Sequence, residues 1–216
     1  MKKIVTNNSS TLRSLQLEPF DGLSKGPYYY HSLNISVFEN FEDDRPELLQ
    51  RDWGTLSAFL TAITSNSSED TAGFSPWING TSTAKTNAIT ALVIDFDTKF
   101  DINQLAPQFR DIERASYMAR DPETGNEIFR VLLPLLNPIS LEKFLILKPT
   151  IQNWADGIGN HPASNPSSYR VGRFCCYPSY NKADPASPRV EFASPGWMLD
   201  ESAFDELRET GVLTLI

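Results

Sequence analysis

A chain of 216 residues with 40% hydrophobic content can bury a sizeable core, which argues against an intrinsically disordered protein. Its formal net charge of -8 excludes a protein whose whole surface attracts phosphate backbones, so contact with nucleic acid would need a local basic patch. Only two cysteines occur, the adjacent Cys175 and Cys176, which rules out a disulfide framework and a four-cysteine zinc site.

Apolar segments of the chain are all too short for a signal peptide or a membrane span. We therefore expect a soluble, cytoplasmic protein with no membrane partner. The two cysteines lie inside an apolar run and are expected to be buried and reduced.

The N-terminal part predicts a lead-in, a strand and a helix. Residues 1–27 are polar and predict a loose lead-in, whereas 28–38, YYYHSLNISVF, are rich in β-forming residues and predict a strand. In 51–63, RDWGTLSAFLTAI, Asp52 is a candidate N-cap. The apolar residues spaced for one helical face are Trp53, Leu56, Leu60 and Ile63.

The middle of the chain predicts an irregular loop followed by three strands. Residues 65–87 are rich in turn formers and contain Phe74 and Trp77 as candidate anchors. The most strand-like stretch, ITALVIDFD at 89–97, comes next, and 102–112 is a short helical candidate interrupted by Pro107. The remaining two strands, ERASYMAR (113–120) and NEIFRVLLPL (126–135), flank the turn DPETG and predict a β-hairpin.

The C-terminal part predicts further helices and strands. Ser140 is a candidate cap for a helix that Pro149 breaks or kinks. YRVGRFCCYP (169–178) and RVEFA (189–193) predict strands, and 200–210 predict a C-terminal helix. The mixture of strands, helices and at least one hairpin predicts an α/β or α+β sheet domain.

Asp95 and Asp97 end the most strand-like segment. Because strand side chains alternate, both carboxylates point to one side, with Cα atoms roughly 6.5 Å apart. Two carboxylates so placed suit a shared divalent cation, and Mg²⁺ or Mn²⁺ is favoured because both prefer oxygen ligands. The alternative is that both aspartates simply end the strand in solvent near Lys99.

The order of segments around this pair resembles phage- and plasmid-encoded archaeo-eukaryotic primases. TAKTNAITALVIDFD (83–97) is similar to the segment that leads into the first catalytic motif of the family. RDWGTLSAFLTAI (51–63) resembles the helix upstream of that motif. FRVLLPLLNPIS (129–140) is similar to the arginine-bearing strand of the family, and YRVGRFCCYPSYNK (169–182) resembles its late arginine segment. The resemblance covers roughly residues 50–195.

The resemblance implies a primase-like catalytic unit related to an RNA-recognition fold, packed on a small N-terminal α/β module. The implied catalytic domain spans 28–200, with the module at about 28–88, the metal-binding unit at about 89–195, and a C-terminal helix at 200–216. The implied activity is DNA-dependent nucleotidyl transfer by a primase or primase-polymerase of a mobile element, with Mg²⁺ or Mn²⁺ held by Asp95 and Asp97.

Several basic residues acquire candidate roles from the resemblance. Arg130 interrupts the apolar alternation of its strand, which fits either a phosphate-binding guanidinium or a partner for one of the aspartates. Basic residues late in the chain are candidates for binding nucleotide phosphate or the template. The alternative is that they are ordinary surface charges. These are Arg170, Arg173 and Lys182, with Lys85 and Asn87 as possible template contacts.

Two positions depart from the family pattern. The hairpin before Arg130 holds no histidine, and Arg120 is the candidate replacement because arginine also binds phosphate. A third acidic residue is expected before the late arginines, where the chain offers His161 and Asn165, with Asp156 a few residues earlier. His161 is alternatively a loop residue without a special role.

Three functions are compatible with these observations. The first is a replication primase or primase-polymerase acting on single-stranded DNA and nucleoside triphosphates, in the host cytoplasm if phage-encoded. The second is a catalytically degenerate module of the same kind that binds nucleotide or single-stranded DNA. The third is a metal-dependent phosphoesterase. No Gly-rich phosphate loop of the helicase type occurs, so any replicative helicase would be a separate partner or lie outside this chain.

Overall fold

The computed structural model describes most of the sheets and helices, with gaps between them. The described residues are 2–5, 33–38, 49–52, 56–65, 73–78, 87–96, 112–121, 124–156, 164–178, 190–193 and 198–215. Within these ranges no helix combines the length and the apolar composition needed to cross a membrane.

The described elements mix strands and helices along the chain. The strands are β1 (Lys2–Val5), β2 (Asn34–Phe38), β3 (Leu49–Asp52), β4 (Gly73–Ser75), β5 (Ala88–Phe96), β6 (Arg114–Arg120), β7 (Glu127–Ser140), β8 (Cys175–Cys176), β9 (Val190–Ala193) and β10 (Val212–Leu215). The helices are α1 (Leu56–Ser65), α2 (Leu141–Asp156) and α3 (Glu201–Thr210), with a 3₁₀ helix at Pro166–Tyr169.

The main sheet is antiparallel and has the strand order β5-β7-β6-β9. A second antiparallel sheet has the order β3-β2-β4-β8, and β1 pairs with β10. The mixed α/β (α+β) fold class predicted from the sequence is thereby confirmed.

Strand β5 is apolar on both faces because both faces of the main sheet are covered. Leu92, Ile94 and Phe96 belong to a core shared with helices α2 and α3. Ala91 and Val93 belong to a second core shared with α1 and the second sheet. Asp95 follows Ala91 and Val93 in the alternation, so its carboxylate points towards the second sheet and not towards the helices.

Local chemistry explains where the elements begin and end. The hairpin between β6 and β7 closes with Gly125 at φ 70, and its backbone N–H donates to the carbonyl of Asp121 at 2.8 Å. Ser140 Oγ accepts from the N–H of Lys143 at 3.2 Å, which confirms Ser140 as a helix cap. Helix α3 has Asp200 as its N-cap and Gly211, at φ 71, as its C-cap.

Several other sequence expectations are confirmed. Strand β5, the β6–β7 hairpin, β9 and the C-terminal helix lie where they were predicted. Phe74 and Trp77 anchor the turn-rich segment, with 0% and 1% of their surfaces exposed. Both cysteines are free and buried.

Other expectations are wrong in detail. Asp52 is not a helix cap, because it ends strand β3, where it pairs with Asn34. Pro149 does not break the helix, since α2 continues through it to Asp156. The predicted strand at 169–178 is mostly a 3₁₀ helix and a turn, with β8 limited to two residues. Lys2–Val5 form a strand inside the predicted lead-in. The C-terminal helix expected at 200–216 ends at Thr210, because Gly211 caps it and Val212–Leu215 form β10. The short helical candidate at 102–112 lies almost wholly outside the described residues.

The close approach of β4 to β8 requires a residue without a side chain at Gly73. A Cβ atom there would lie 2.3 Å from the Phe174 ring and 2.4 Å from the carbonyl oxygen of Cys175. We therefore expect Gly73→Ala to lower the free energy of unfolding by about 1–3 kcal/mol, measured by urea denaturation. Asn153→Ala, on the exposed side of α2, is the control and should change it by less than about 0.5 kcal/mol. Equal stabilities of both variants would contradict this account of the β4–β8 contact.

Candidate functional site

Asp95, Arg130 and Tyr117 lie in one row across the main sheet. Asp95 is opposite Arg130 in the β5–β7 register, and Arg130 is opposite Tyr117 in the β6–β7 register. Directly opposite residues on neighbouring strands point to the same face. The row therefore lies on the face that also carries Ala91 and Val93, between the main sheet and the second sheet.

Arg130 holds the Asp95 carboxylate with two parallel hydrogen bonds. Its Nε donates to Oδ1 at 2.8 Å, and its Nη2 donates to Oδ2 at 2.9 Å. Its Nη1 donates to the carbonyl oxygen of Cys176 in β8 at 2.7 Å. Both charged side chains are 0% exposed. The pair is thus a bidentate buried ion pair that also connects the two sheets.

Arg173 is a second counter-ion of the same carboxylate. Its Nη2 donates to Oδ2 of Asp95, which makes an ion pair. Unlike Arg130, it is 9% exposed, and it follows Gly172, whose φ of 67 marks a turn. Its Nη1 is buried and has no hydrogen-bond partner among the described residues. Among the described residues, this group of one carboxylate and two guanidinium groups therefore carries one excess positive charge.

The charges of the site are stabilised mutually. Burial by itself would raise the pKa of Asp95, but Arg130 and Arg173 outweigh burial and hold that pKa below its ordinary value of 3.8. Burial would lower the pKa of Arg130, but the Asp95 carboxylate raises it well above the ordinary arginine value. Asp95 and Arg130 are therefore both ionised at neutral pH.

Neighbouring groups of the site stay neutral. Burial raises the pKa of Tyr117 well above that of an exposed tyrosine. Burial also raises the pKa of the Cys175 thiol, and it raises that of Cys176 to about 11. Both cysteines are therefore thiols and not reactive thiolates at neutral pH.

The 3₁₀ segment fixes the backbone of Asp95. The N–H of Asp95 donates to Ser168 Oγ at 2.9 Å, and the carbonyl oxygen of Asp95 accepts from the N–H of Asn165 at 2.7 Å. Phe96 forms an isolated β-bridge with Ser164. The end of β5 is thus held on its backbone and through the Asp95 side chain.

Asp156, a candidate third metal ligand, lies at the end of α2 and accepts hydrogen bonds from Ser164, shortly before the 3₁₀ helix. Its Oδ1 accepts from Ser164 N at 2.7 Å and from Ser164 Oγ at 2.5 Å. Ser164 Oγ also shares a hydrogen bond of 2.7 Å with the hydroxyl of Tyr169. Asp156 therefore already has a structural role at the C-terminal end of α2.

The other candidate residues lie outside the cluster or outside the described part of the chain. Arg120, at the end of β6, and Arg170, after the 3₁₀ helix, are exposed. Asn87 is exposed, and its carbonyl accepts from the N–H of Leu141 at 2.8 Å. The candidates beyond the described residues are Lys85, Asp97, His161 and Lys182.

The donor chemistry of the site suits a hard divalent cation only in part. Within the described ranges no group of three or more His, Cys, Asp or Glu side chains is placed to hold a metal ion. The Asp95 carboxylate is the oxygen donor such an ion prefers, but Oδ2 already accepts from Arg130 and Arg173. Oδ1 accepts from Arg130 as well, so the described residues around Asp95 do not complete a site for a divalent cation.

Sequence reasoning missed the groups that support the charged cluster. These are Tyr117, Ser168 and the Cys176 carbonyl. A carbonyl contact leaves no signal in a sequence, and a tyrosine in an apolar strand is typical of an ordinary core residue. The Asn-Pro dipeptide at 165–166 did carry a usable signal, because it favours a capped turn.

Comparisons with known proteins gave one structural likeness. No family model and no curated protein matches the sequence. The structure is similar to the AEP domain of the primase-polymerase (PrimPol) of Cyanophage S-2L, at 11% identity and a TM-score of 0.45. The match covers 81% of this chain and 88% of that chain.

Removing the negative charge from the cluster should destabilise the protein. Asp95→Asn leaves two buried guanidinium groups without a counter-ion, and we expect it to lower the free energy of unfolding by about 3–5 kcal/mol. Urea denaturation followed by tryptophan fluorescence measures this. Glu127→Gln removes the same charge from an exposed position of β7 and should cost less than about 0.5 kcal/mol. Similar losses in both variants would show that Asp95 does not stabilise the fold through its charge.

The lowered pKa of Asp95 predicts a pH dependence. Because this carboxyl binds its proton less readily in the folded than in the unfolded chain, its stabilisation is fully present above the ordinary value of 3.8. It is lost as pH falls through the folded-state pKa. The difference in unfolding free energy between wild type and Asp95→Asn should thus shrink below about pH 4. A difference that stays constant from about pH 7 to about pH 2 would contradict the assignment.

Proposed function

We propose that the chain is a primase-like nucleotidyltransferase of a mobile element that joins nucleoside triphosphates on a single-stranded DNA template. The observation that carries the proposal is a convergence of distant segments. Asp95, Arg130 and Arg173 come from three of the four segments whose order resembles archaeo-eukaryotic primases, and they meet in one cluster. Arg130 is 35 residues and Arg173 is 78 residues from Asp95 in sequence.

The charge of the cluster supports a site for phosphate chemistry. The chain carries a net charge of -8, yet this cluster has an excess of one guanidinium. Guanidinium groups bind phosphate oxygens through paired hydrogen bonds. An acidic chain repels a triphosphate or a nucleic-acid backbone, so binding of either needs a local positive site.

Under this proposal Asp95 and Asp97 hold a divalent cation, Mg²⁺ or Mn²⁺. Such a cation supplies electrostatic stabilisation of the charge that develops during in-line displacement at phosphorus. Asp156 or His161 would be the third ligand, with Asp156 keeping its hydrogen bonds to Ser164 through one oxygen.

The basic candidates take binding roles in this scheme. Arg173 and the exposed Arg120 and Arg170 bind phosphate oxygens of the incoming nucleotide or of the template. Arg130 orients Asp95, since its donors are engaged by that carboxylate and by Cys176. The remaining candidates for nucleotide or template contacts are Lys182, Lys85 and Asn87, and a separate replicative helicase would be a partner.

A second candidate function is a module of the same kind that binds nucleotide or single-stranded DNA without catalysis. The state of Asp95 favours it, because both carboxylate oxygens accept from guanidinium groups and the side chain is 0% exposed. In this case Asp95 has a purely structural role, and binding depends on the exposed basic residues.

Primer synthesis and primer extension on single-stranded templates, with Mg²⁺ or Mn²⁺, test the leading proposal. We expect incorporation of nucleotides with release of pyrophosphate, and its loss in Asp97→Asn and in the double variant Asp95→Ala/Asp97→Ala. Asp97→Asn is the sharper variant because Asp95 also holds two arginines within the fold. Release of inorganic phosphate or cleaved oligonucleotide instead would indicate a phosphoesterase.

Glu209→Gln is the matched control, because it removes one exposed carboxylate from the C-terminal end of α3, and it should keep full activity. A folded wild-type chain without activity on varied templates and metals would contradict the leading proposal. Salt-sensitive binding of single-stranded DNA that survives loss of both aspartates would then support the second function.

A further inference from the structure

A chain of hydrogen bonds runs from Tyr169 through Ser164 to Asp156, and its direction is fixed. Asp156 Oδ1 accepts from the backbone N–H of Ser164 at 2.7 Å and from Ser164 Oγ at 2.5 Å. A hydroxyl group has one proton, and Ser164 gives it to the carboxylate, so Ser164 Oγ accepts from the hydroxyl of Tyr169 at 2.7 Å. The Asp156 carboxylate is therefore the final acceptor, on which the other two side chains depend.

Asp156 brings no electrostatic benefit to its own helix. It is the last residue of α2, where the helix dipole disfavours a negative charge, and the last turn, which is fully described, holds no basic residue. Ser164 and Tyr169, in contrast, are each 2% exposed, so an unpaired hydroxyl group in either would be unfavourable. The benefit of this carboxylate therefore lies in the segment that begins at Ser164.

That segment holds Asp95 in two ways. It contacts the backbone, since the N–H of Asp95 donates to Ser168 Oγ at 2.9 Å and the carbonyl of Asp95 accepts from the N–H of Asn165 at 2.7 Å. It also leads, through the turn at Gly172, to Arg173, whose Nη2 donates to the Asp95 carboxylate. Displacement of the start of the segment would thus affect both the backbone and a counter-ion of Asp95.

We propose that Asp156 is a positioning residue of the Asp95 site, on which it acts through Ser164 and Tyr169. As a role in nucleotidyl transfer this inference rests on the proposed function, whereas the positioning itself needs no nucleotide, template or metal. It requires only an acceptor oxygen at residue 156, because both donors that Asp156 holds are neutral groups of Ser164. It is separate from the role of third metal ligand considered above for the same residue.

The scalar coupling across the hydrogen bond between the Asn165 nitrogen and the Asp95 carbonyl carbon tests the inference. Nuclear magnetic resonance of the full chain, with a chelator present, measures this coupling, which reports the length of the bond in folded molecules. Asp156→Ala removes the acceptor oxygen, so the coupling should be lost and the side-chain Nε–H signal of Arg173 should shift. Asp156→Asn keeps an acceptor oxygen and should restore both signals. Asn153→Ala, on the exposed side of the same helical turn, is the matched control and should change neither.

A second coupling separates positioning from a general effect on stability. It crosses the 2.8 Å hydrogen bond from the N–H of Gly125 to the Asp121 carbonyl, in the β6–β7 hairpin. Loss of the Asn165–Asp95 coupling in Asp156→Ala with an unchanged hairpin coupling would support the inference. A lower free energy of unfolding with both couplings unchanged would overturn it. Loss of the Asn165–Asp95 coupling in Asp156→Asn as well would also overturn it, because the charge and not the acceptor oxygen would then be required.

Ser164→Ala covers the case in which Asp156→Ala does not fold. It breaks the chain of hydrogen bonds at its centre but keeps the backbone N–H that donates to Asp156, so the Asn165–Asp95 coupling should decrease. An unchanged coupling in this variant would overturn the inference. None of these measurements uses turnover, so a failure of primer synthesis would remove the proposed function and leave the positioning role of Asp156 intact.

Discussion

Burial of one carboxylate is the constraint on which the centre of this fold depends. Asp95 lies between two sheets, where a lone negative charge would be strongly unfavourable. Arg130 on the neighbouring strand and Arg173 from a distant turn supply the compensating charge. Compensation of the charge fails if the segment with Arg130 or the segment with Arg173 is displaced. This requirement therefore fixes the end of β5, the β6–β7 hairpin and the residues before β8 relative to one another.

The two arginines that compensate this carboxylate have different surroundings. Arg130 satisfies its donors on the carboxylate and on a carbonyl, as expected of a group that stabilises a fold. Arg173 leaves one donor without an acceptor among the described residues and keeps 9% of its surface exposed. Two residues of one type thus differ in their contacts because one lies in a strand and the other follows a turn.

Sequence patterns predicted the elements whose signal is local. The apolar run of β5, the turn chemistry of the hairpin and the Ser140 cap of α2 depend on nearby residues, and they lie where expected. The second sheet was less predictable because it joins β2, β3 and β4 to the two-residue β8 across most of the chain. Asp52 is an example: its residue type favours a helix cap, but it lies in strand β3, where it pairs with Asn34.

At the site, the sequence left two roles for Arg130, and the register opposite Asp95 places it as the partner of that carboxylate. Spacing alone could not have decided between them, because which strand lies beside β5 is a property of the whole sheet. Arg173 was found only as one of several late basic residues. Its contact with Asp95 depends on the path of the 3₁₀ segment and the turn after it, which no local pattern encodes.

The hydrogen bond from Arg130 to the Cys176 carbonyl has a mechanical consequence. A backbone carbonyl does not titrate, so this contact does not depend on the charge of the Asp95 carboxyl. The link between the main sheet and the second sheet is therefore expected to persist in acid, where protonation of Asp95 weakens its ion pairs with the two arginines.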